Sequence, residues 1–127
     1  MFRVRPIGVV RSGEANPPRH WSVSDVEGDL EIQARYREAL ADIRPGERIA
    51  VLFVFHKSPR FTRSHLTQVP PTRNQPRGVF STCSPVRPNP IGLSVVEVLS
   101  VEGVTLKVRG LDMLDGTPIL DLKPWKE

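Results

Sequence analysis

Apolar and polar positions fall into short runs separated by breakers, and the runs read mostly as strands. Residues 2–11 carry β-branched side chains around Gly8 and predict a first strand. Residues 12–20 contain Gly13, Pro17 and Pro18 and predict a loop. In residues 29–33 acidic positions alternate with Leu30 and Ile32, the pattern of a half-buried strand. Residues 36–43 suit two helical turns, ended by the Pro45-Gly46 pair. Residues 49–55 form an uninterrupted apolar run, which predicts a strand buried on both faces. Residues 57–77 are too rich in Pro, Thr and Arg for regular structure, and a loop that long inside a domain is generally functional or mobile. Strands are predicted again over 78–82, 91–99, 105–111 and 117–122, with Glu102-Gly103 and Asp115-Gly116 as turns. Three prolines in residues 84–90 make a stiff connector. The expected fold is mainly β, a barrel or closed sheet with one short helix and long loops.

A chain of 127 residues and 14.2 kDa fits one domain spanning 1–127. The longest apolar run has seven residues, against the ~20 of a membrane-spanning helix. The first six residues lack the apolar stretch of a signal peptide, and Cys83 alone excludes an internal disulfide. A cytoplasmic setting is therefore expected. One cysteine and three scattered histidines (His20, His56, His65) argue against a structural metal site. Net charge is +4, but its distribution is uneven. Residues 51–90 hold Lys57, Arg60, Arg63, Arg73, Arg77 and Arg87 and no acid at all. Such a one-signed stretch attracts an anionic partner, with phosphates first among them.

Glycine-rich phosphate-binding turns and the Gly-x-Ser-x-Gly nucleophile motif are missing. The densest chemical signal is residues 81–94, where hydroxyls, Arg87 and Asn89 ride on a proline-stiffened backbone. Arg87 suits a carboxylate or phosphate, and Asn89 can donate and accept at a heterocycle edge. The same residues also suit a rigid connector that satisfies nearby carbonyls. In residues 111–121, Asp112, Asp115 and Asp121 offer groups for a hydroxyl, an ammonium or a proton, although Asp115-Gly116 is equally ordinary turn chemistry. His56, just past the apolar run, reads as a base or a packing residue. Cys83 reads more simply as a small packing group than as a nucleophile.

These residues resemble the TsaA-like (TrmO, YaeB) family of S-adenosylmethionine-dependent tRNA methyltransferases. The resemblance runs almost end to end, through Pro6-Ile7-Gly8-Val9-Val10-Arg11-Ser12, Pro18-Arg19-His20, residues 24–32, 51–57 and 77–82. Arg87-Pro88-Asn89-Pro90-Ile91-Gly92 and Leu111-Asp112-Met113-Leu114-Asp115-Gly116-Thr117-Pro118 are its most specific elements. The resemblance implies a small non-Rossmann β-barrel that binds S-adenosylmethionine, as a homodimer with the site near the subunit interface. The family reaction methylates N6 of N6-threonylcarbamoyladenosine at position 37, beside the anticodon of threonine tRNAs. Carried over by motif, cofactor contacts are expected from Trp21, Ser22, Val23, His56, Lys57, Cys83, Ser84, Leu93, Thr117, Pro118, Ile119 and Leu120. Arg87 and Asn89 would line the same cleft. Arg60, Arg63, Arg73 and Arg77 would face the anticodon loop. Asp112, Asp115 and His56 are the candidates for the proton acceptor.

The chain departs from the family pattern in three places. Thr82-Cys83-Ser84-Pro85-Val86-Arg87 stands where the family commonly has Thr-Arg-Ser-Pro-His-Arg, so one arginine and one histidine are replaced. Pro45-Gly46-Glu47-Arg48-Ile49 replaces Gly-Phe-Ser-His-Ile. The chain given ends soon after Pro124-Trp125, short of the extension of longer bacterial members. These departures leave open a different RNA or small-molecule acceptor, or a non-catalytic barrel that binds RNA or senses the cofactor.

Overall fold

Where β-branched side chains recur at every second position, the backbone extends and one face turns inward. The computed structural model describes residues 1–71 and 73–126. Its strands are β1 (Gly8–Arg11), β2 (Glu27–Ile32), β3 (Arg48–Val54), β4 (Thr67–Gln68), β5 (Arg77–Gly78), β6 (Ile91–Glu102), β7 (Thr105–Arg109) and β8 (Pro118–Pro124). Six of them close a barrel in the order β1-β2-β7-β6-β3-β8, every neighbour antiparallel. β4 and β5 form a separate two-stranded sheet.

The inward faces fill the barrel with Val10, Leu30, Ile49, Val51, Phe53, Val96, Val98, Leu106, Val108 and Ile119. Each such side chain contributes about 1.5–3 kcal/mol on leaving water. On β3 the outward Ala50, opposite Val95, is buried too, while Leu52 and Val54 are half-buried. Burial on both faces therefore holds for the first half of this strand only. Two register shifts curve the wall: one between β6 and β7 at Val98/Ser100, and one between β3 and β8 at Leu52/Phe53. At the second, Leu52 opposes Asp121 and Phe53 opposes Ile119, so Leu120 is the extra residue of a bulge.

Several elements depart from the sequence expectation. The first strand begins at Gly8, because residues 1–6 stand exposed with no neighbouring strand to pair with. The expected helix over 36–43 is a 3-10 helix, Ala34–Leu40, that buries only Leu40. One buried contact rewards a short tight turn rather than a regular amphipathic helix. The strand expected over 78–82 is instead β5 followed by a 3-10 turn, Val79–Ser81, pinned by buried Val79. Residues 57–77 carry more order than expected: besides β4 there is a 3-10 turn, Arg63–His65, where the Thr62 amide donates to His65 Nδ1 at 2.9 Å. No helix is long and apolar enough to cross a membrane among the described residues.

Candidate functional site

One end of the barrel opens into a cleft of about 470 Å³ between five chain segments. The end of β3 supplies Phe53, with Phe55 just beyond it. The start of β6 supplies Gly92, Leu93 and Ser94. The loop after β7 brings Asp112, and residues 19–21 and 82–87 form the rim. An adjoining lobe of about 290 Å³ continues past Phe53 and Phe55 to His56, Lys57, Met113 and Thr117. Gly92 makes the floor possible. A Cβ there would lie 2.4 Å from Phe53 Cζ and 2.7 Å from Phe55 Cζ, so only glycine leaves room for the two rings. They pack edge to face, with centroids 5.0 Å apart.

Among the described residues, Asp112 is the one acidic side chain on this cleft. Its Oδ1 accepts from Ser94 Oγ, and Ser94 is fully buried. The Trp21 amide also donates to it. Burial pushes the Asp112 carboxyl above the ordinary 3.8, and the Ser94 bond, the nearby His20 and backbone amides partly offset this. The rim that faces Asp112 is fixed by a clamp. Ser24 Oγ donates to the Leu111 carbonyl, and the amides of Gly110 and Leu111 donate to the Val26 carbonyl at 2.9 and 3.1 Å. That clamp sets the 3-10 turn Trp21–Val23 over the Asp112 loop. His20 caps the turn, its Nδ1 accepting from the Ser22 amide at 3.2 Å. Trp21 is held from behind by the Arg48 guanidinium, 5.7 Å from its ring centre, and by Trp125 at 6.3 Å.

Of the residues singled out from the sequence, Trp21, His56, Lys57, Cys83, Arg87, Leu93, Asp112 and Thr117 meet on the cleft and its lobe. The others lie elsewhere. Ser22, Val23 and Asn89 are exposed beyond the rim, and Ser84 is tied into its own loop, where its Oγ accepts from the Val86 amide. Pro118 opposes Val9 in β1, Ile119 is fully buried in the barrel core, and Leu120 occupies the bulge. Asp115 is turn chemistry: it is exposed, and its Oδ1 accepts from the Ser12 amide at 3.0 Å. Arg60, Arg63, Arg73 and Arg77 are all exposed. Arg87 serves both readings offered for it, since it lines the cleft while its Nη1 donates to the carbonyls of Thr82 and Ser84 at 2.9 and 3.1 Å.

Sequence reasoning missed Phe53, Phe55, His20, Gly92 and Ser94 as parts of the site. Ser94 did carry a signal: it is a polar residue on the inward face that Val96 and Val98 continue. Such a residue needs a partner, and here the partner is Asp112. Phe53 and Phe55 carried none, because an aromatic residue in an apolar run reads as core.

The fold and this cleft define a class, that of small closed antiparallel barrels with an aromatic-walled cleft at one end. Residues 10–127 match the family described as tRNA-methyltransferase O N-terminal domain, and the chain belongs to the TrmO family. An S-adenosyl-L-methionine-binding protein of Archaeoglobus fulgidus is 44% identical over 125 residues, covering 96% of this chain and 88% of that protein. The tRNA (adenine(37)-N6)-methyltransferase of Escherichia coli is 37% identical over 137 residues, covering 98% of this chain and 57% of the enzyme. A crystal structure of TrmO from Pseudomonas aeruginosa superimposes with a TM-score of 0.78 at 33% identity, covering 99% of this chain and 56% of that one. The chain thus spans little more than half the length of these two longer relatives.

Proposed function

We propose that this chain is an S-adenosylmethionine-dependent methyltransferase that modifies N6 of adenine in tRNA, with N6-threonylcarbamoyladenosine at position 37 of threonine tRNA as acceptor. The observation that carries this reading is the cleft, where Asp112, the single carboxylate among the described residues, stands among Trp21, Phe53, Phe55 and Leu93. Its volume lies in the ~300–1,000 Å³ range of pockets that enclose a drug-sized ligand. Aromatic faces and one carboxylate suit a cationic sulfonium joined to a flat heterocycle. The bound cofactor supplies an already activated methyl group, so the protein's work is placement and removal of a proton.

The residues divide that work. Trp21, Phe53 and Phe55 exclude water and offer π faces. Asp112, steadied by Ser94, accepts the proton that N6 gives up as its bond to carbon forms. Asp115 is committed to the Ser12 amide, and His56 is exposed on the lobe's outer edge, so neither competes with Asp112 for that role. The apolar Ile91 and Leu93, both more than two-fifths exposed beside the cleft, support a homodimer built over this end of the barrel. We place the protein in the cytoplasm, where its tRNA is.

Titration calorimetry with S-adenosylmethionine, with ATP as control, tests the first half of the proposal. Saturable binding at one site per chain is expected. Folded protein that ignores the cofactor would remove the methyltransferase reading and leave a basic RNA-binding barrel. A second reading keeps the cofactor and changes the acceptor to another RNA or a small molecule. It is favoured by Cys83, exposed on the cleft wall where the family commonly has arginine. Methyl transfer to tRNA that carries the threonylcarbamoyl base decides between the two.

A further inference from the structure

A further hollow of about 580 Å³ adjoins the cleft, between residues 54–61 and residues 87–90. Phe55 and Arg87 belong to both spaces, so the two meet across these side chains. The cleft carries Asp112 beside Arg19, His20 and Arg87. The hollow is walled by His56, Arg60 and Arg87, over an apolar floor of Phe55, Phe61 and prolines, and among the described residues it has no carboxylate. An anion therefore gains energy in the hollow and a cation loses it. One-signed walls on low-dielectric floors concentrate that preference.

We propose that this hollow is the anion subsite of the methyl acceptor: Arg60 and Arg87 hold a carboxylate or phosphate of the acceptor nucleotide, so that its base reaches the cleft past Phe55. The assignment rests on the methyltransferase reading and adds to it where the acceptor sits and which of four exposed arginines grips it. Arg60 lines this hollow, whereas Arg63, Arg73 and Arg77 line none of the spaces at this end of the barrel. Arg87 is set in advance. The Thr82 and Ser84 carbonyls fix Nη1, and among the described residues no protein group bonds Nε or Nη2. That edge of the guanidinium is the fork that grips a planar carboxylate or a phosphate through two parallel bonds. Phe55, Phe61 and the proline rings offer faces on which a base can stack.

The anion has two sources, a carboxylate on the base substituent or a backbone phosphate. The test uses the full chain with saturating S-adenosylhomocysteine and three fluorescent anticodon stem-loops, followed by anisotropy. Their base at position 37 is adenine, threonylcarbamoyladenine, or the same substituent with its carboxylate converted to carboxamide. Arg60→Ala is expected to weaken a contacted RNA about tenfold and to leave S-adenosylhomocysteine affinity unchanged. Loss confined to the carboxylate-bearing RNA assigns the base substituent, and Arg60→Lys should then recover little of it, since a lysine lacks the fork. Equal loss on all three, with the salt slope reduced by about one and recovered in Arg60→Lys, assigns a phosphate. Unchanged affinity for every RNA overturns the proposal, as does a wild-type protein that binds none of them. A change in S-adenosylhomocysteine affinity overturns the division between cleft and hollow. If wild-type protein binds no S-adenosylhomocysteine, the methyltransferase reading fails, while the RNA comparisons still decide whether the hollow takes an anion.

Discussion

Asp112 concentrates the chemistry of the cleft in one side chain. Its carboxyl titrates above 3.8 because burial strips water from the charged form. The folded state then holds this proton more tightly than the unfolded chain does. Stability falls as pH rises from 3.8 through the raised value, and above that window the ionised group opposes folding. Asn in its place keeps an oxygen to accept from Ser94 Oγ and removes the charge. Asp112→Asn should therefore melt at or above the wild-type temperature at neutral pH, with the difference shrinking below pH 3.8. Methyl transfer by the same variant should fall by about 100-fold or more, the usual worth of a proton acceptor. Thermal melts across pH, paired with single-turnover transfer, check both. Wild-type transfer by Asp112→Asn would sink the proton-acceptor role. The motif Leu111-Asp112 made this residue visible in the sequence, but not its separation from Asp115. Both are aspartates in one loop, and only burial against Ser94 sets the first apart from a turn that caps Ser12.

Among the elements, the pairing of β3 with β6 decides whether there is a cleft. The register sets Phe53 opposite Gly92 and Val51 opposite Ser94, so one strand supplies the rings and the other the space and the hydroxyl. Gly92→Ala puts a methyl 2.4 Å from Phe53, and relief requires that ring to leave its place. Destabilisation of about 1–3 kcal/mol is expected, as for other overpacked sites. Cofactor affinity should fall more steeply than stability, because the displaced rings form the floor of the cleft. Urea unfolding and calorimetry on one preparation separate the effects. Both strands were legible from their apolar runs, yet their register was not. Period-two patterning fixes which residues share a face, whereas the partner of each depends on how the whole sheet closes.

For the molecule as a whole, closure is uneven. β3 pairs with β6 at seven positions, whereas β1 meets β8 at two, Gly8 with Ile119 and Val9 with Pro118. Bonds from the Ile7 amide to the Ile119 carbonyl at 2.7 Å and from Val10 to Thr117 at 2.9 Å extend that seam. Amide hydrogen exchange should therefore reach Ile7 and Val10 before Val51 or Phe53, as the seam opens below the global unfolding energy. Equal protection along both would mean that the barrel opens only as a unit. Charge also acts at this scale: the acid-free stretch 51–90 was plain in the sequence, but not which of its arginines border the cleft.

Composition, short alternating runs and paired motifs determined a mainly β chain of the TrmO family, and they named Asp112, Arg87, His56 and Trp21, which line the cleft and its lobe. Those are local properties, carried by residue type and spacing. The tertiary structure alone decided that Phe53 and Phe55 floor a cleft at the edge of the core, that Ser94 bonds Asp112, and that Ile119 and Asp115 lie off that cleft. Each of those outcomes depends on distances between residues far apart in the chain, set by barrel closure and by what remains unfilled at its open end.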